Sequence, residues 1–224
     1  QYPEVEALGA ESIPCDIRDR EELGSAFRDV DTVFHTASLA GIWGRREEYQ
    51  SINVQGTANV LQSCRDHGVS RLIYTSTPSV VFDRRDIAGG TEALPYATRF
   101  LCHYARTKAA GERMLSEYAG HFAPLIVRLA ALFSDWCEYP PLYFFLETWL
   151  SRTWNARVLG GKGLSAIPYM HVRDLAVFFH YLLAHEPELE KREILIASPS
   201  STANHRELFE LANMHARGAR PAPI

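Results

Sequence analysis

The sequence predicts an α/β protein built on a parallel sheet. Three observations carry this. Short β-rich runs, Val30–Ser38, Arg71–Thr75 and Pro124–Ala130, alternate with stretches of helical pattern, Arg20–Phe27, Tyr49–His67 and the segment through Tyr104 and Tyr118. The run Pro124–Ala130 is almost wholly apolar, as expected of a strand covered on both faces. One run stops at small residues, Thr36-Ala37-Ser38, and another runs into the hydroxyls of Ser76 and Thr77 at a strand's carboxyl end, where open α/β sheets bind ligands.

Taken in order, Ser12–Ile17 is a short apolar run closed by Asp16, read as a strand, and the polar helix Arg20–Phe27 follows it. Val30–Ser38 is the next strand. Ile52, Val54, Val60 and Leu61 recur at helical spacing within Tyr49–His67, and Gly68 supplies the residue that ends a helix. The strand Arg71–Thr75 runs into a cluster of hydroxyls, Ser76, Thr77 and Ser79, around Pro78, a pattern that suits a turn as well as a ligand site. Asp83–Arg99 is a connection long enough to suggest function. A helix bearing Tyr104, Lys108, Met114, Leu115 and Tyr118 comes next, then the strand Pro124–Ala130.

The remaining elements are an aromatic-rich helix over Pro140–Trp154, a turn at Val158–Gly163, a helix from His171 to Leu183, a strand over Glu193–Ala197 and a final amphipathic helix, Glu207–Asn213, capped by Asn204 or Thr202. The turn is not a phosphate loop, because no Lys-Ser/Thr pair closes it.

Composition excludes several classes. The 224 residues are 46% hydrophobic and 22% charged, an ordinary globular balance. A net charge of -4 with scattered Lys and Arg gives no electrostatic case for a nucleic-acid partner. No apolar run is long enough for a membrane span. Cys15, Cys64, Cys102 and Cys137 are widely separated without metal-type spacing, which predicts free thiols, no metal site and a cytoplasmic protein.

The segment with the most chemistry is His103–Glu112. It places the phenol of Tyr104 and the ammonium of Lys108 four residues apart, on one face of a helix. A nearby cation favours the phenolate and turns tyrosine into a usable general acid/base near neutral pH. Alone, the Tyr-x-x-x-Lys spacing is a common accident.

In its wider setting the spacing is less ambiguous. Cys15–Asp19, Val33–Ser38, Asn53–Thr57, Tyr74–Val80, Tyr104–Lys108 and His171–Leu175 together, in that order, resemble the extended short-chain dehydrogenase/reductases. The likeness is to the 3β-hydroxysteroid dehydrogenase branch in particular. Gly41–Gly44 and Pro78–Asp83 look like the bacterial 2-alkyl-3-oxoalkanoate reductases within it.

The resemblance implies a Rossmann-like, doubly wound sheet. The expected organisation is a cofactor domain over residues 1–135, with a small, incomplete substrate lobe interleaved with the last sheet elements over 136–224. It implies NAD or NADP as cofactor and a hydroxyl/keto interconversion on a small hydrophobic substrate. Tyr104 would exchange a proton with the substrate oxygen and Lys108 would support it. Thr77, with Ser76 as the fallback, would hydrogen-bond the carbonyl. Asp16 and Ile17 would meet the adenine, and Thr36, Ala37, Ser38 and Thr75 would line the cofactor path together with Tyr104 and Lys108. Asn53 would stand behind the catalytic pair or stabilise its helix. Dimerisation is implied through the helices Tyr49–His67 and Tyr104–Tyr118.

Two readings compete with this one: a nucleotide-sugar epimerase or dehydratase, and a Rossmann-like scaffold without catalysis. The family's Gly-x-x-Gly-x-x-Gly turn is absent, the early glycines being Gly9 and Gly24. The chain is therefore expected to begin after the second strand of a longer protein. Leu129–Trp136 also departs from the family's Tyr-Gly-Pro turn, which points to a different substrate pocket.

Overall fold

A computed structural model of the chain describes residues 3–118, 120–134, 146–151, 160–185 and 194–216. They fall into two compact units, one from Gln1–Arg128 and Leu189–Ile196, the other from Leu129–Glu188 and Ala197–Ile224.

The first unit is organised by a sheet of four strands in the order β1 (Thr32–His35), β2 (Arg71–Ser76), β3 (Ala123–Leu129) and β7 (Ile194–Ala197). β1 runs parallel to β2 with His35 opposite Tyr74, and β2 runs parallel to β3 with Ser76 opposite Arg128. Every residue of β2 is buried, as the centre of a parallel sheet covered on both faces requires. After a first short turn of helix, α1 (Pro3–Glu6), helix α2 (Arg20–Ala26) starts at Asp19, whose carboxylate accepts the Glu21 and Glu22 amides. It sends Leu23 into a core shared with Val60, Leu61, Cys64, Leu72, Leu115 and Ile126.

The helix expected over Tyr49–His67 forms with a different winding. α3 (Arg46–Tyr49) passes through a π-helical segment, Gln50–Gly56, into α4 (Thr57–Asp66), which closes at Gly68 with φ +70°. Widened turns of this kind collect at functional sites. Here the widened stretch carries Asn53, and it ends on Gly56, where a Cβ would come 2.6 Å from the Ile17 side chain. α5 (His103–Tyr118) buries Ala105, Lys108, Ala109, Glu112 and Leu115.

Ser12–Ile17 is not a strand, contrary to the sequence expectation. A strand needs a laddered neighbour, and among the described residues none pairs with it. Its polar groups turn to local partners instead: the Asp16 amide donates to Glu22 Oε2, and the Arg18 amide donates to Asp16 Oδ1.

In the second unit β4 (Ala131–Phe133) lies parallel to β6 (Tyr169–His171), and β5 (Ala166–Ile167) lies antiparallel to β8 (Ala203–Asn204). Residues 146–150 are helical (α6), and Trp149 packs edge-on to Phe209 at 5.7 Å; residues 140–145 and 152–154 of the expected helix lie outside the described residues. α7 (Val172–Ala184) begins at His171, whose Nδ1 accepts the Arg173 amide. α8 (His205–Ala216) opens with a reciprocal cap between Asn204 and Glu207, a pairing that satisfies two otherwise orphaned amides. No described helix is long and apolar enough to cross a membrane.

Candidate active site

The site grows from the packing of α5 on β2. Side chains two apart on a strand share a face, so Tyr74 and Ser76 both turn toward α5. The approach is close enough that a Cβ on Gly111 would overlap the Tyr74 hydroxyl. Lys108 lies in this interface, 2% exposed, with its ammonium 3.8 Å from the centre of the Tyr74 ring. Burial disfavours the charged form and draws its pKa down to about 7, while the Glu112 carboxylate pulls it back up. Tyr104 sits one turn earlier on the same helix, half-buried.

Around this pair is a closed set of polar groups. Asn53 donates to Thr107 Oγ1 at 3.1 Å and to the Leu39 carbonyl at 2.9 Å, and accepts the Leu39 amide at 2.7 Å. It thereby fastens the loop after β1 to the α5 turn between Tyr104 and Lys108, a more definite role than its sequence pattern allowed. His35 Nε2 pairs with Thr57 Oγ1 at 3.0 Å, and burial, with Lys108 adding to it, lowers the imidazole pKa to about 3, so the ring is neutral. The Tyr74 hydroxyl is buried without a hydrogen bond of ordinary length, and its acidity is suppressed, first by burial and then by Glu112.

Glu112 is fully enclosed. Arg128 reaches it through Nε at 3.1 Å and Nη2 at 2.8 Å, and Ser76 Oγ donates to Oε1. Tyr96 lies against the Arg128 and Arg113 guanidinium groups, and burial together with Glu112 pushes its phenol up to about 12. Ser76, the fallback for the carbonyl-binding hydroxyl, donates its hydroxyl proton to Glu112 in this structure. Alternation along β2 turns it to the α5 face. Thr77 lies past the strand end, where its Oγ1 accepts the Ser79 amide at 3.2 Å, donates to Ser79 Oγ at 3.1 Å and caps the short turn Pro78–Val80. Thr75 donates to the His35 carbonyl at 3.1 Å and so joins β1 to β2.

Asp16 and Ile17, expected to meet the adenine, share one cleft with Ala37 and Ser38. A cleft of about 680 Å³ is lined by Asp16, Ile17, Ala37, Ser38, Leu39 and Ile52, with Pro14, Cys15, Arg18 and Glu22 completing it. Asn59 holds its floor by donating to the Ile17 and Arg18 carbonyls, both at 3.0 Å. The Asp16 carboxylate is clasped by Arg18, which holds its pKa near 2. Thr36 is exposed at the end of β1, and neither Thr36 nor Thr75 is among the cleft residues.

Sequence reasoning passed over Tyr74, Glu112, Arg128 and His35. The signal for two of them was present: Glu112 follows Lys108 by one helical turn, and Arg128 is a cation inside an otherwise apolar strand. Such a residue must find a buried partner.

Comparison with known proteins gives this arrangement a context. The model of the 3-beta hydroxysteroid dehydrogenase/isomerase family matches residues 3–123. A 2-alkyl-3-oxoalkanoate reductase of Shewanella oneidensis is 45% identical over 115 residues, 51% of this chain and 30% of that protein. A 3beta-hydroxysteroid-dehydrogenase/decarboxylase of Arabidopsis thaliana is 42% identical over 169 residues, 73% of this chain and 29% of that protein. The match thus spans only about a third of the length of these curated relatives. Among solved structures, a Thermus thermophilus UDP-glucose 4-epimerase in complex with NAD superposes with a TM-score of 0.77 at 23% identity, over 95% of this chain and 71% of that one, a likeness of fold.

Proposed function

This chain belongs to the 3-beta hydroxysteroid dehydrogenase/isomerase family, and from that premise we propose that the protein is a NAD(P)-dependent oxidoreductase interconverting a hydroxyl and a keto group on a hydrophobic substrate. The observation that carries the reading is Lys108: a cation buried on the face of Tyr74, one helical turn after Tyr104. Placing an ammonium in a dry interface is costly, and a nearby phenol that must release and regain a proton gives it a purpose.

The residues present suit the cofactor. Ile17 and Ile52 give the cleft apolar walls on which a flat purine can lie, and Ile17 presses against the bare backbone of Gly56. Small residues, Ala37 and Ser38, leave the end of β1 open to close backbone approach. When bound, a nicotinamide cofactor supplies or accepts the hydride. The chain's own groups do the rest. Tyr104 passes a proton to the substrate oxygen as the carbonyl is reduced, or takes it in the reverse direction. Lys108 stabilises the phenolate left behind. The Thr77 hydroxyl, at the carboxyl end of β2, orients the substrate oxygen.

The names of the relatives point to branched β-keto acids or 3-keto steroids as substrates. Full-length protein supplied with NADH or NADPH and a panel of both substrate types tests the reading. Substrate-dependent oxidation of the reduced cofactor supports it, and turnover of neither type with either cofactor contradicts it.

A further inference from the structure

Two residues along a strand advance about 6.6 Å, and four along a helix about 6 Å. Because these spacings agree, α5 and β2 meet as two successive rungs. Lys108 rests on Tyr74 in one, and Glu112 meets Ser76 in the next. The Glu112 carboxylate cannot swing away or reach solvent, because its side chain is fully buried and held by Ser76 Oγ, Arg128 Nε and Arg128 Nη2. Arg128 is braced in turn by the Glu92 carbonyl at 3.5 Å.

We propose that Glu112 is the positioning residue that raises the proton affinity of Lys108, one helical turn before it on the same buried face, with Ser76 and Arg128 as the groups that hold it there. The proposal rests on the reading of Lys108 as the lysine that supports Tyr104.

The titratable groups around the ammonium define why Glu112 is decisive. Tyr104 and Glu112 come from α5, Tyr74 from β2 and His35 from β1, while Arg128 of β3 reaches the cluster through Glu112. Neutral His35 and the Tyr74 phenol, whose acidity burial suppresses, offer no negative charge at neutral pH. Arg128 opposes a second cation. Glu112, one turn along the same buried face, favours the charged lysine against the larger effect of burial, and without it burial acts unopposed by any carboxylate among these groups. Arg128 and Ser76 satisfy its oxygens, which offsets the cost of enclosing the carboxylate.

The experiment follows Lys108 directly, without turnover. Lysine labelled with ¹³C at the ε carbon is incorporated into the full-length protein, and the Lys108 signal is assigned by its loss in Lys108→Arg; the 224 residues contain three lysines, Lys108, Lys162 and Lys191. In Glu112→Gln the proton affinity of Lys108 is expected to fall about tenfold, an effect of the size that one partly compensated charge exerts at such range. The alkaline limb of the pH-rate profile is expected to move down with it. Should Glu112→Gln fail to fold, Glu112→Leu/Arg128→Leu removes the buried pair together, and the titration is expected to shift the same way by a smaller amount. An unchanged Lys108 titration in either folded variant overturns the proposal. Failure of the catalytic reading would look different: Tyr104→Phe would keep its turnover whatever Lys108 does.

Discussion

The ammonium of Lys108 stands 3.8 Å from the centre of the Tyr74 ring, inside an interface that leaves the lysine 2% exposed. The aromatic face returns about 2 kcal/mol at best for a desolvated cation, less than burial of the charge costs. The folded protein therefore holds the lysine proton less tightly than the unfolded chain does, with a pKa of about 7 against the ordinary 10.5. Between those values the unfolded chain binds more protons, so stability rises with pH across that window, and the full cost is present below it.

It follows that Lys108→Met should be more stable than the wild type at neutral pH, by about 2 kcal/mol or more. The gain should shrink as pH approaches 10.5. Urea unfolding at several pH values measures it. The same variant should lose turnover, so that stability and activity move in opposite directions.

Gly111 and Tyr74 form the second test. A methyl group at position 111 would overlap the Tyr74 hydroxyl, so Gly111→Ala should destabilise the protein by about 1–3 kcal/mol through overpacking. That hydroxyl is buried without a hydrogen bond of ordinary length, and removing an unsatisfied polar group is close to neutral or favourable. Tyr74→Phe should therefore be tolerated by itself and should recover part of the Gly111→Ala loss in the double variant, the ring carbon Cζ still lying 2.8 Å from the added methyl. Thermal unfolding of the three proteins reads the cycle.

His35 sets an acid limit. Its imidazole is buried neutral with a pKa of about 3, far below the ordinary 6.5. Between those values the unfolded chain takes up a proton that the folded chain refuses, so stability falls with decreasing pH by up to about 1.4 kcal/mol per pH unit. His35→Gln, which can still hydrogen-bond Thr57, should flatten this dependence. Comparing denaturant midpoints at pH 7 and pH 5 in both proteins checks it.

Breaking the buried ion pair from one side should be severe. Arg128→Met leaves Glu112 enclosed without its countercharge and should cost about 3–5 kcal/mol. Glu112→Leu/Arg128→Met, which removes both charges, should recover much of that loss in the same unfolding experiment.

Much of this architecture was legible in the sequence, for reasons that differ between elements. β3 announces itself by its nearly continuous apolar run, as a strand buried on both faces does, β2 by its β-rich residues between turn signals, and α5 because its Tyr-x-x-x-Lys spacing fixes one face. Ser12–Ile17 misled because an apolar run states only that a segment can be a strand, while pairing decides whether it becomes one. The π winding of Gln50–Gly56 left no trace in hydrophobic spacing, which a single widened turn barely disturbs. The cleft residues Asp16, Ile17, Ala37 and Ser38 were found through resemblance. Glu112, Tyr74 and His35 were missed because their importance lies in what they do to Lys108, a relation that appears only when α5 is laid on β2.

The measurement that bears most directly on the central claim is steady-state turnover of full-length Tyr104→Phe with reduced cofactor and its keto substrate, alongside cofactor binding. On the proposed mechanism, loss of the Tyr104 phenol should lower kcat by about 10²–10⁴-fold with cofactor affinity little changed. Turnover equal to that of the wild type would contradict the account.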